Sequence, residues 1–171
     1  MIAELTQRLE DNVTALLHDA VCAFPPPTAP FVPIYTPPER RPFGDYLLMH
    51  GYATPRQIGM ALREQQQRAR QGTHWPLGDI LVAHEIVHPQ VLTAMLLVQL
   101  LDRVAAAPAS APRLLGEQLI VSDLITPRQL AAALQQQSWL RQHGSWIRLG
   151  ELLTQQGLVD GSVLAATLKR L

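Results

Sequence analysis

Residues 148–171 read RLGELLTQQGLVDGSVLAATLKRL, and the same spacing of glycine, leucines and turn residues occurs four times in the chain. The other copies are 42–65 (PFGDYLLMHGYATPRQIGMALREQ), 76–99 (PLGDILVAHEIVHPQVLTAMLLVQ) and 114–137 (LLGEQLIVSDLITPRQLAAALQQQ). In each copy a glycine precedes a short apolar segment, a turn and a longer helix-like stretch. Segments of this length cannot bury a hydrophobic face alone, so the four repeats are expected to pack on one another.

Each repeat predicts a hairpin of two helices. The first helix begins near the glycine and ends after about two turns. The second opens with TPRQ at 54–57 and at 126–129. There the threonine is the expected N-cap, the proline occupies the first helical position, and the glutamine completes a capping box. Asp160 is the expected cap of the fourth repeat, and His88 a weaker cap of the second.

Two further positions recur in the repeats. Gly51 and Gly157 stand where a left-handed residue closes the first helix, whereas Glu85 and Asp123 stand there in the other two repeats. The turns of those two repeats are therefore predicted to differ. A glutamine follows the repeat glycine by twenty-one residues in three repeats, as Gln65, Gln99 and Gln137, and the fourth has Leu171.

The spacing of the repeat glycines groups the repeats in pairs. The intervals are 78−44=34, 116−78=38 and 150−116=34 residues. We therefore predict an all-α fold with two tandem four-helix units built from short helical hairpins. The predicted domains are an amphipathic helix over 1–23, a Pro-rich linker over 24–41, the first unit over 42–104, an Ala/Pro hinge over 105–112 and the second unit over 113–171.

The N-terminal segment has one apolar stripe at helical spacing. This stripe could cap the repeats or dock on another protein, so its residues are the candidate partner-binding set: Leu5, Leu9, Val13, Leu16 and Leu17. The proline-rich stretch that follows is incompatible with a helix or a central strand and is predicted to be an extended spacer. A ligand for a proline-recognition domain is the alternative.

Composition restricts the classes of function. Fourteen basic and fourteen acidic residues cancel, so no charge footprint for a nucleic acid polymer or an anionic membrane is expected. The single cysteine, Cys22, fits a reducing compartment. The N-terminus does not resemble a secretory signal, and the most apolar stretch, 91–101, is too short to span a bilayer. The sequence predicts a cytoplasmic protein without membrane insertion.

No catalytic motif is recognisable, and the chain is predicted not to be an enzyme. The phosphate-binding pattern G-x-x-x-x-G-K-[ST] is absent. His84 and His88 are four residues apart, but Pro89 places a turn beside them and no further ligand completes a zinc site. The acidic residues after the repeat glycines are expected from the helix dipole alone. They are Asp45, Asp79, Glu117 and Glu151.

The period of 34 also invites comparison with tetratricopeptide repeats, whose signature begins W-x-x-L-G. Trp146, Leu149 and Gly150 fit that opening. The Thr-Pro dipeptides, however, shorten the first helix to about half the tetratricopeptide length. A tetratricopeptide-like scaffold remains an alternative. The tryptophans Trp75, Trp139 and Trp146 either seal the hairpin pairs or, if exposed, serve as anchors of a protein interface.

The row with Arg148, Leu149, Gly150, Leu153 and Gly157 resembles the repeat RLGxxLxxxGxxxxxxLxxxLxxQ of the MshE N-terminal domain family. That family comprises the N-terminal domains of ATPases in bacterial type II secretion and type IV pilus assembly. The resemblance implies a module that docks on a membrane partner's cytoplasmic segment, and therefore an interaction or regulatory adaptor in a secretion, pilus or exopolysaccharide assembly. No cofactor is required by this interpretation.

The resemblance also implies a possible signalling ligand, cyclic di-GMP. In the family two tandem motifs form its pocket, so the alternative function is a cyclic di-GMP receptor that uses the C-terminal unit. The residues carried over are Arg113, Leu115, Gly116, Leu130, Leu134, Gln137, Arg148, Leu149, Gly150, Leu164 and Leu168. Arginine suits phosphates and purine faces, and glutamine suits a base edge.

The chain departs from the family pattern at the arginine position, which is Pro42, Pro76 and Leu114 in the first three repeats. Ten residues separate the motifs of each pair, more than is typical of the members that bind the nucleotide. A purely structural interpretation is also open. The glycines then permit close approach, the leucines form the core and the glutamines bind backbone at a helix end.

Overall fold

The computed structural model describes residues 2–30, 41–106 and 114–169, and these residues form nine α-helices and no strand. The predicted all-α class is therefore confirmed. The helices are α1 (Ile2–Ala23), α2 (Phe43–Met49), α3 (Pro55–Arg70), α4 (Leu77–Ala83), α5 (Pro89–Ala106), α6 (Leu115–Val121), α7 (Pro127–Gln142), α8 (Leu149–Gln155) and α9 (Gly161–Leu168). Within this described part, no helix is both long and apolar enough to traverse a bilayer.

The four first helices, α2, α4, α6 and α8, have seven residues each, as the sequence predicted. Each follows an extended N-cap residue. The second helices α3 and α7 begin with the predicted capping boxes. The Thr54 hydroxyl accepts from the Gln57 amide at 3.3 Å, and the Gln57 side chain accepts from the Thr54 amide at 2.8 Å. Thr126 and Gln129 form the same pair of bonds. These contacts satisfy amides that a helix start leaves unpaired.

The four first helices end in the same way, which corrects one expectation. In every repeat the second residue after the C-cap donates back to the carbonyl of the last helical turn, which is a Schellman motif. Glu85 and Asp123 adopt φ of 56°, close to the φ of 73° and 68° at Gly51 and Gly157. The turns of the second and third repeats are therefore not different, because the backbone bonds hold even a side-chain-bearing residue in the left-handed region.

Two other expectations about element ends differ from the structure. Asp160 occupies the N-cap position of α9, but its side chain makes no capping hydrogen bond. Helix α5 continues to Ala106, so the predicted hinge over 105–112 does not begin at 105. Its remaining residues, 107–112, and Arg113 lie outside the described residues, as does Leu171.

Contacts divide the chain into two compact units. We call Leu17–Gln99 the first unit, and Met1–Leu16 together with Leu100–Leu171 the second unit. The boundaries fall inside α1 and α5, so the two ends of α1 belong to different units. Residues of α2 to α5 form the core of the first unit, and Leu17 and Ala20 of α1 pack with it. The largest fully buried side chains in the second unit are Leu119 and Leu153.

The start of the proline-rich segment is docked on the first unit, and is not simply a spacer. The Phe24 ring stacks on the His88 ring, with centroids 3.6 Å apart. Both the amide and the hydroxyl of Thr28 donate to the Gly51 carbonyl, at 3.2 and 2.7 Å. We call residues 24–28 the strap. Residues 31–40 of the predicted linker lie outside the described part of the chain.

Candidate functional site

The repeat glycines allow the two helices of each hairpin to approach closely. A Cβ added at Gly78 would lie 2.8 Å from Leu92, and one at Gly150 would lie 2.9 Å from Leu164. Gly44 has the same relation to Ile58, at 3.2 Å, and Gly116 to Leu130, at 3.0 Å. In all four repeats the contacting side chain is fourteen positions after the glycine. This interlocking explains why a glycine and an apolar residue recur together without any ligand.

The recurring glutamines bind backbone across each pair of repeats. Gln65 Nε2 donates to the Trp75 carbonyl at 2.9 Å, and Gln99 Nε2 donates to the Arg41 carbonyl at 3.0 Å. Each acceptor is the residue before the N-cap of the other repeat's first helix. The two bonds are thus reciprocal, and the two repeats of the first unit are equivalent partners. Gln137 makes the corresponding bond to the Ile147 carbonyl at 2.8 Å.

The residues predicted to bind cyclic di-GMP fall into three groups. Gly116, Leu130, Gln137 and Gly150 are buried, and Leu115, Leu134, Leu149 and Leu164 are half-buried. Arg148 and Leu168 are exposed, while Arg113 is outside the described residues. Leu115 and Leu164 both lie within 3.2 Å of a Cβ position on Gly150, so the structure does bring these three together.

The contacts of the buried members are internal to the fold. The Gln137 amide is bonded to backbone, and Leu130 fills the space beside Gly116. Half-buried Leu164 does the same beside Gly150. Arg148 is the N-cap residue of α8, and its side chain makes no capping bond. The spacers between the motifs are partly helical, since 66–70 continue α3 and 138–142 continue α7. These contacts are those expected if the glycines, leucines and glutamine of the repeat hold the helices together without a ligand.

The predicted partner-binding stripe on α1 is engaged where the structure describes it. Val13 is buried, Leu16 is half-buried, and Leu17 packs against the core of the first unit. The side chains of Leu5 and Leu9 are outside the described set.

The tryptophans differ between the two units. In the first unit Trp75 is half-buried, with the Arg68 guanidinium 4.1 Å above its ring. In the second unit Trp139 and Trp146 are 56% and 54% exposed. Trp139 stacks on His143 at 4.0 Å, and Arg141 lies 5.7 Å from the Trp146 ring. The segment 138–148 contains two arginines and a histidine and has no acidic residue. We call it the tryptophan segment.

Sequence reasoning missed a group of charged side chains in the first unit. Glu64 accepts from Arg68 Nε at 2.8 Å and lies 2.6 Å from His84 Nε2, so it joins α3 to the end of α4. The hydrogen bonds with His84 and then with Arg68 lower the pKa of the Glu64 carboxyl below its ordinary value. The i,i+4 spacing of Glu64 and Arg68 was the available signal.

At the same repeat positions in the second unit, neutral amides replace the ion pair. Gln156 Nε2 donates to Gln136 Oε1 at 2.6 Å. A second missed contact is the pair of Arg103 and Glu117, in which Glu117 also accepts from the Leu114 amide at 3.3 Å. Glu117 is buried, so its role exceeds the helix-dipole interaction expected for it.

The histidines considered as metal ligands have other partners. His84 pairs with Glu64, and His88 stacks on Phe24. Burial lowers the pKa of His88 below its ordinary value. Among the described residues, no three His, Cys, Asp or Glu side chains are grouped so as to hold a metal ion.

Searches of protein-family models, of curated proteins and of solved structures find no match to this chain.

Proposed function

We propose that this chain is a non-catalytic interaction module made of two tandem MshE-N-like units of four short helices. It acts as an adaptor at the cytoplasmic face of a bacterial secretion, pilus or exopolysaccharide assembly, through a protein partner. The direction of the proposal comes from the resemblance of the repeat, and the exposed tryptophans support it.

The supporting observation is the contrast between the tryptophans of the two units. The first unit covers Trp75 with its own Arg68. The second unit leaves more than half of Trp139 and of Trp146 accessible, beside Arg141. Tryptophan and arginine are, with tyrosine, enriched at the energetic centres of protein interfaces. Large exposed apolar rings also carry an aggregation risk, which a bound partner would remove.

The test is quantitative capture of partners by the full chain and by the double variant Trp139→Ser/Trp146→Ser. We expect components of one membrane-associated assembly to bind the wild-type chain, and the double variant to lose them by roughly tenfold or more, as for a central hot spot of 1.4 kcal/mol or more. Val163→Ser is the matched control, because Val163 is an exposed apolar residue of the same unit outside the tryptophan segment.

Calorimetry with cyclic di-GMP separates the adaptor from the receptor alternative. Because Gln137 and Leu164 make internal contacts, we expect no heat of binding. Micromolar binding that Arg148→Ala abolishes would replace the adaptor proposal with the receptor. Equal capture by the wild type and the double variant would also contradict the adaptor proposal in this form.

A further inference from the structure

The strap shows how this repeat holds an extended segment. Thr28 donates twice to the Gly51 carbonyl, and its own carbonyl oxygen lies 2.3 Å from where a Gly51 Cβ would be. Only a glycine therefore permits this contact. Four residues earlier, Phe24 reaches His88 in the turn of the other repeat. The strap thus spans both turns of the first unit, and Tyr52 beside Gly51 is only 4% exposed.

Gly157 is the counterpart of Gly51 in the second unit. Both close a first helix through the same Schellman bonds, with φ of 73° and 68°. The neighbouring repeat corresponds as well, because Leu77 approaches Gly44 from the second repeat and Leu115 approaches Gly150 from the third. The glutamine bonds agree with this correspondence, because Gln137 bonds to the backbone before the fourth repeat as Gln99 bonds to the backbone before the first. The turns at 122–126 and 156–160 therefore correspond to the two turns that the strap spans.

The counterpart surface is open where the first unit is covered. Gly51 is buried, but Gly157 is exposed, and no described atom lies within 4 Å of a Gly157 Cβ position. Leu124, which stands at the position of the half-buried Ile86, is 38% exposed. Glu85 and Asp123 show that this turn does not itself require glycine. A glycine at 157, together with an exposed leucine in the turn of the other repeat, therefore matches the requirement set by the strap.

We propose that the Gly157 turn of the second unit binds an extended proline-containing segment of a partner protein, as the Gly51 turn holds residues 24–28. The segment presents an aromatic side chain to the turn at 122–126, in which Thr126 stands at the position of His88 and Leu124 is exposed. Four residues later it presents a threonine to the Gly157 carbonyl. Prolines keep such a segment extended, which reduces the entropy lost on binding. The inference rests on the adaptor function and defines the chemistry of one partner segment.

The test uses the full ¹⁵N-labelled chain and a synthetic peptide of this chain's own residues 23–30, AFPPPTAP. We expect saturable amide shifts at Leu124 and Gly157. Gly157→Ala should weaken the peptide by roughly tenfold or more, because a methyl group occupies the space of the incoming carbonyl. A peptide with Thr28→Val should also bind less well, because it lacks the hydroxyl donor.

Gly144→Ala is the matched control. Gly144 also has a positive φ, 81°, and open space around it, but it lies after α7 and outside the two turns. This variant has the same backbone strain and should bind the peptide like the wild type. Shifts confined to Gly51 and His88, which would indicate exchange with the strap, would overturn the inference, as would undiminished binding by Gly157→Ala. Neither result would affect tryptophan-dependent capture, which tests the adaptor function separately.

Discussion

At the scale of single residues, the left-handed position that closes each first helix is occupied by two glycines, a glutamate and an aspartate on the same backbone conformation. Gly51 and Gly157 have nearly the same φ, yet among the described residues another segment of the chain packs against Gly51 and none lies within 4 Å of a Gly157 Cβ position. Glu85 and Asp123 accept the left-handed conformation at a cost of about 1 kcal/mol, a cost that is lower for aspartate. Glycine can therefore be required for two separate reasons: the left-handed backbone conformation, and the close approach of another segment where a Cβ would lie.

Replacement of the two glycines by alanine should separate these needs. Gly157→Ala should lower the free energy of unfolding by about 1 kcal/mol, the cost of a left-handed alanine. Gly51→Ala should cost at least about 2 kcal/mol, because it also displaces Thr28 and its two hydrogen bonds. Urea denaturation measures both values. Equal losses would show that the strap does not stabilise the first unit.

Tyr52 has a buried hydroxyl with no hydrogen-bond partner among the described residues. Tyr52→Phe should therefore leave stability unchanged or raise it by up to about 1 kcal/mol. Burial raises the pKa of Tyr52 above its ordinary value of 10.0. The free energy of unfolding therefore includes the full contribution of neutral Tyr52 below pH 10, and this contribution is lost as pH rises through the folded pKa. The variant should lack this alkaline loss. Thermal melts at neutral and strongly alkaline pH test both expectations, and a large loss at neutral pH would contradict them.

At the scale of helices, the glutamine bonds fix where three of the first helices, α2, α4 and α8, begin. The Gln137 side chain is buried and bonded to the Ile147 carbonyl, which precedes α8. A short helix of two turns has little stability of its own, because nucleation is costly. The glutamine of the neighbouring repeat supplies a donor that holds the carbonyl before the helix, so helix docking and helix formation are coupled.

Gln137→Ala should cost about 1–3 kcal/mol, because the carbonyl of half-buried Ile147 loses its donor. Hydrogen exchange over 149–155 should accelerate in the same variant, since the start of α8 is released. Gln136→Ala is the matched control on the same helix: its partner Gln156 is exposed, so we expect a change within about 0.5 kcal/mol. Similar effects of the two variants would mean that the buried bond does not position α8.

Much of this architecture could be predicted, because local chemistry determines it. The repeat glycines gave the starts of the first helices, and Thr54 and Thr126 gave the starts of α3 and α7. The shared turn at Glu85 and Asp123 was missed, since backbone bonds outweighed side-chain preference. The partners of Gln65 and Gln99 and the docking of Thr28 depend on contacts between distant segments. No sequence pattern states those contacts, and the candidate nucleotide residues were placed by resemblance alone.

At the scale of the whole molecule, two units built on one repeat use different chemistry at one corresponding contact. The first unit joins α3 to the end of α4 through Glu64, Arg68 and His84. The second unit joins α7 to the end of α8 through Gln136 and Gln156. The two units should therefore respond differently to acid, although their backbones follow the same plan.

The stability of the first unit should fall on acidification through the loss of the Glu64 contacts. Because the pKa of folded Glu64 is below its ordinary value of 4.5, its contribution is present above pH 4.5 and is lost as pH falls through the folded pKa. Glu64→Gln should remove this dependence and lower stability at neutral pH by about 1 kcal/mol or less, as for other partly exposed ion pairs. Hydrogen exchange of peptides from 43–99 and 114–169 between pH 7 and pH 3 resolves the two units. The transplant Gln136→Glu/Gln156→His should add an acid-sensitive contact between α7 and the end of α8 in the second unit. Identical pH profiles for the wild type and Glu64→Gln would contradict the prediction, because the Glu64 contacts would then not make the stability of the first unit depend on pH.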